Sequence, residues 1–178
     1  DNTNYRLITN RYGVKASEPG NAFMDQFYQG NILPHQGNTE ALWLYPNTSE
    51  DEVLGQYLNS MRRTWVSAYF NLGIPITPEY GGRGIGRAAI NAWVFTIYEP
   101  QDDRFSEYAI RKQYRTASGT PIFCHMDSMQ MSTNNNRWAS TRKWDWAYDD
   151  PLRSGFHHSY ADQTYLRLAE TYLLLAEA

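Results

Sequence analysis

One cysteine, Cys124, stands in the 178 residues, so no disulfide can form within the chain, and no apolar stretch precedes it as one would precede a lipid-modified cysteine. No run reaches the about 18 apolar residues that a membrane-spanning helix requires. Basic blocks are also missing. Sixteen Lys and Arg stand against 19 Asp and Glu, a net charge of −3, and this removes the electrostatic footprint of a nucleic-acid binder. Metal-ligand spacings are absent too: His125 with Asp127, and His157 with His158, are the nearest to such groupings, and neither offers three or four convergent ligands. No metal or cofactor is expected. Nothing repeats at a fixed interval, so at most the last unit of a repeat array would have begun here.

What is abundant is aromatic surface. Aromatic residues make up 15% of the chain, with 14 Tyr and 6 Trp, and such side chains join an apolar face to a polar edge. They suit core packing and stacking against sugar rings equally. The stretch from Trp138 to Tyr160 concentrates them without helical or strand period: Trp138, Trp144, Trp146, Tyr148, Phe156 and Tyr160. It is either a carbohydrate platform, with Asn, Asp and Arg edges bonding hydroxyls, or a loop pinned to the body by its rings.

Local pattern predicts several elements. Phe23, Met24, Phe27 and Tyr28 recur at helical spacing, and Ala41 to Tyr45 is a continuous apolar run of strand length. Ser49 and Glu52 fit a capping box before a helix that runs toward Met61. Gly73 to Gly86 reads as a long loop, Ala88 to Tyr98 as helical, and Tyr108 to Tyr114 as an extended pairing segment with a turn at Ser118-Gly119. The final residues, 161–178, read as a helix apolar around most of its circumference, built to be sandwiched. No Gly, Asn or Pro ends that helix, and no initiator Met opens the chain, so a piece of a longer protein is expected.

The closing segment, Arg167-Leu-Ala-Glu-Thr-Tyr-Leu-Leu-Leu-Ala-Glu-Ala178, resembles the signature helix of the SusD/RagB-like family, surface glycan-binding lipoproteins of nutrient-uptake systems. Four further segments resemble that family in its order: Asn38-Thr-Glu-Ala-Leu-Trp43, Met61-Arg-Arg-Thr-Trp65, Gly81-Gly-Arg-Gly-Ile-Gly-Arg87 and Asp102-Asp-Arg-Phe105. After Arg87 one subgroup continues toward a Pro-Thr pair, where this chain has Ala88-Ala-Ile-Asn91. The resemblance implies a single partial domain over 1–178. Its fold would be mainly α, a tetratricopeptide-like helical repeat scaffold with long irregular loops and a few short strands, ending in the helix at 161–178.

It further implies capture of an oligosaccharide without catalysis, for a TonB-dependent SusC-like transporter at the outer-membrane surface. Any lipid anchor would lie outside these residues. Trp144, Trp146 and Tyr148, with Trp138, Tyr80 and Arg83, are the candidate ligand contacts. The glycine loop at 81–87 could cradle an anion, but its glycines equally permit positive-φ turns, with Arg83 and Arg87 pairing to Asp102 and Asp103. Glu170 and Glu177 are expected to bond a neighbouring helix or to pair with Arg167. Two rival classes remain. A carbohydrate-active hydrolase would need two carboxylates flanking the bond, and Asp102-Asp103 and Asp149-Asp150 are only sequence neighbours. A non-catalytic helical-repeat scaffold would bury its tryptophans.

Overall fold

The computed structural model describes residues 4–45, 61–145 and 162–178. In chain order the elements are α1 (Ala22–Asp25), β1 (Ala41–Tyr45), α2 (Met61–Trp65), α3 (Val94–Ile97), β2 (Ile110–Arg111), β3 (Gln113–Arg115), β4 (Pro121–Phe123), α4 (Ser128–Thr133), β5 (Ser140–Thr141), β6 (Gln163–Arg167) and α5 (Leu168–Glu177). The chain divides into two units, Asp1–Gln56 with Tyr160–Ala178, and Tyr57–Ser159.

This corrects the expectation of a mainly helical repeat scaffold. Among the described residues there are five helices, the longest of ten residues, and the strands pair as three antiparallel two-stranded ribbons. Stacked helical repeats need helix pairs long enough to bury a face on each neighbour, and four of these helices span six residues or fewer. The terminal helix is also shorter than expected. Residues 163–167 form β6 because Thr164, Tyr165 and Leu166 suit a pleated surface and β1 offers them a partner. The helix proper begins at Leu168, and its Tyr172, Leu173, Leu174 and Leu175 are exposed.

In the first unit, Asn21 accepts a hydrogen bond from the Met24 amide at 2.9 Å and so starts α1. The Asn38 side-chain oxygen accepts from the amides of Glu40 and Ala41, both at 3.1 Å, a local turn that launches β1. The core here is unusually polar: Asp25, Gln26, Asn31, Asn38 and Glu40 are all buried beside Met24, Ile32 and Ala41. Each charge has a partner. Arg11 Nε lies 2.7 Å from Asp25, and Arg167 reaches Gln26 at 2.8 Å and Glu40 at 3.3 Å, with its guanidinium over the rings of Phe23 and Phe27.

The ribbon of β1 and β6 is not regular. Ala41 pairs with Arg167, Trp43 with Leu166 and Leu44 with Thr164, so Leu42 is an extra residue on one strand and Tyr165 an extra residue on the other.

In the second unit the glycine loop packs on the segment after α2. The amides of Ile85, Gly86 and Arg87 donate to the carbonyls of Arg63, Val66 and Thr64 at 2.8 to 2.9 Å. A side chain at Gly84 would meet the Val66 and Ser67 carbonyls, so glycine is required by closeness there, and at Gly81 by a φ of 74° beside Asp145. The core of this unit is Val66, Ser67, Tyr69 and Tyr114, all fully buried. Residues 46–60, including the capping box at Ser49 and Glu52, lie outside the described residues.

Candidate functional site

The predicted contacts fall into separate surroundings. Tyr80 packs edge-on against Tyr69 and Tyr114 at 5.7 and 5.2 Å, and its hydroxyl accepts the Arg115 amide at 3.0 Å. Arg83 stacks over Phe70, 5.0 Å from the ring centre, rather than pairing with Asp102. Asp102 pairs instead with Arg104, two residues on, and that hydrogen bond holds its carboxyl below the usual aspartate range. Trp138 is half-buried, with its ring edge against Gly86 and its indole N–H buried without an acceptor among the described residues. Trp144 is half-buried. Trp146 and Tyr148 lie outside the described residues.

The loop at 81–87 makes a poor anion cradle. Its Gly81, Gly82, Ile85, Gly86 and Arg87 amides all donate to backbone carbonyls, which leaves only the two amides of Arg83 and Gly84 outside that pattern among the described residues. Beside it, Arg111 donates to both carboxylate oxygens of Asp145, at 3.2 and 2.5 Å, and to the Glu79 carbonyl at 2.8 Å. Desolvation alone would lower the Arg111 pKa, yet Asp145 and the tyrosines around it hold it raised and charged. Arg142 also reaches Asp145, bonding at 3.1 Å an oxygen that Arg111 shares. These groups are spent on each other and define a structural knot. Nearby, burial pushes the Cys124 thiol up to about 12, so the chain's one cysteine is a protonated core residue.

The half-buried Tyr12 and the buried Tyr69 and Tyr114 are satisfied in the same inward way. Tyr12 donates its hydroxyl to the Asn31 carbonyl, Tyr69 to the Gly82 carbonyl, and Tyr114 shares a 2.7 Å bond with Ser67. Three rings of the first unit differ. Trp43, Tyr45 and Tyr165 stand 56, 51 and 61% exposed on the β1–β6 ribbon, and their ring centres lie 5.1 to 6.3 Å apart. Trp43 and Tyr45 are two residues apart on β1 and so share a face, with ring planes 25° apart. Tyr165 sits edge-on to both. Its position as the extra residue of a bulge turns it onto that face.

No protein partner takes up the Trp43 indole N–H or the Tyr45 and Tyr165 hydroxyls among the described residues. The result is an exposed aromatic ledge with unspent polar edges, which can stack on the C–H face of a sugar while bonding its hydroxyls. Sequence reading placed Trp43 inside a motif and a strand-length apolar run but not among the ligand contacts. The signal for the ledge was its two-residue spacing to Tyr45, and Tyr165 was hidden inside an expected helix. The same unit holds an open groove of about 480 Å³ lined by residues 6–12, Gly37 and Thr39.

No protein-family model, curated protein or solved structure matches this chain.

Proposed function

We propose that this chain captures glycans without cleaving them, as a SusD/RagB-like protein of a nutrient-uptake system that passes ligand to a SusC-like TonB-dependent transporter at the outer-membrane surface. The ledge of Trp43, Tyr45 and Tyr165 is the observation that carries this reading: three touching, exposed rings with free polar edges are a surface for sugar stacking. The five family-like segments support it, and four of them meet in pairs. Glu40 of the first bonds Arg167 of the last, and the glycine loop bonds the backbone of the segment from Arg63 to Val66. A hydrolase needs a carboxylic acid held protonated, and Asp102 is held the opposite way by Arg104.

The test is titration of the chain with a glycan panel, following tryptophan fluorescence and released reducing sugar together. Saturable binding without product, lost in Trp43→Ala, is the expected result. Released sugar, or a Trp43→Ala variant that binds as the parent does, overturns the reading.

A further inference from the structure

We infer that the ledge takes neutral glycan chains and rejects those bearing uronate or sulfate groups. This rests on the capture reading above and adds the chemical class of the ligand.

The faces of aromatic rings carry negative partial charge, which attracts sugar C–H groups and repels anions. A ligand carrying carboxylates could offset that repulsion only with a cation supplied by the protein. Within β1 and β6 the one charged side chain is Arg167. Its guanidinium is drawn inward, bonded to Gln26 and Glu40 and lying over Phe23 and Phe27 at 5.9 and 5.4 Å. Diverting it to a ligand would strip the counter-charge from Glu40, whose side chain is 4% exposed.

A cation cage is excluded by the same geometry. Tyr165 touches Trp43 and Tyr45 edge-on at 5.1 and 5.4 Å, so no ammonium group fits between the rings, and a ligand must lie on the outer faces. On these two strands what remains to orient it are an indole N–H, two phenol hydroxyls and the amide of Gln163, which stands opposite Tyr45. These neutral groups match sugar hydroxyls in donor and acceptor character.

The experiment is calorimetric titration of the chain with two neutral probes, glucomannan and xyloglucan, and two acidic ones, polygalacturonate and chondroitin sulfate, at low and physiological ionic strength. Circular dichroism checks the fold of each variant, and Tyr165→Phe keeps the ring while removing its hydroxyl. Support is a neutral probe that binds independently of salt, weakens about tenfold or more in Trp43→Ala and in Tyr165→Ala, and largely survives Tyr165→Phe, with no acidic probe bound. Acidic binding that is lost in those same variants overturns the inference and leaves capture standing. Binding untouched by both alanine variants, or silence from every probe, overturns capture itself and the inference with it.

Discussion

Glu40 and Arg167 lie 3.3 Å apart although 127 residues separate them in sequence. Their contact joins the start of β1 to the end of β6, and the Leu168 amide adds a 2.8 Å bond to the Glu40 carbonyl at the same point. The pair locks the ribbon that carries the aromatic ledge. Arg167→Met leaves the Glu40 carboxylate buried and uncompensated and is expected to cost about 3 kcal/mol, whereas the double variant Glu40→Gln/Arg167→Met costs less. Urea unfolding of the three proteins measures the difference.

Glycines in the second unit should separate by what surrounds them. Gly84→Ala drives a methyl group into two backbone carbonyls that cannot yield, and is expected to lose about 3 kcal/mol or more, while Gly73→Ala, at a φ of 74° with open space around it, costs only about 1 kcal/mol. Thermal denaturation of both variants checks the order.

Arg111 and Asp145 form the most enclosed ion pair described, with side chains 5 and 9% exposed. Arg111→Met leaves the Asp145 carboxylate with only the more exposed Arg142 as partner and is expected to destabilise the unit by about 3 kcal/mol. Asp145→Asn retains hydrogen-bonding capacity but strands the guanidinium charge, and should cost a comparable amount. Chemical denaturation distinguishes these from a surface control such as Arg104→Met, whose exposed pair contributes about 1 kcal/mol or less.

Burial raises Tyr114 to about 12. Because the folded value lies above the unfolded one, its contribution to stability is whole below the usual tyrosine pKa of about 10 and is lost as pH climbs toward the folded value. Phenolate absorbance should therefore show a late-titrating class that merges with the early one on unfolding, and Tyr114→Phe should remove one member of it. Cys124 should likewise resist thiol reagents at neutral pH until the chain unfolds.

The elements that local pattern fixes were legible in the sequence. The apolar run at 41–45 is β1, the spacing at Phe23 and Met24 marks α1, and the turn at Ser118-Gly119 is there, with Gly119 at a φ of 83°. Segments decided by distant partners were not. Residues 163–167 run directly into the helical pattern that begins at Leu168, and pairing with β1 is what separates them from it as a strand. Arg111 finds Asp145 across 34 residues, and no spacing rule announces it. Arg83 was expected to seek a carboxylate such as Asp102, but Asp102 pairs with Arg104 and Arg83 lies over the Phe70 ring. The ledge was half visible, since the two-residue step from Trp43 to Tyr45 can be read directly while its third ring depends on a bulge.

That pair of bulges makes the ledge a matter of counting. Side chains alternate across a strand with a period of two, so the single extra residue Leu42 decides which way Trp43 and Tyr45 look relative to Ala41, and Tyr165 plays the same part opposite. A lineage that lost Leu42 could keep every aromatic and every charge of the ribbon and still turn its rings away from solvent. Gain or loss of one codon, rather than exchange of one side chain, is the step by which this surface would be switched off.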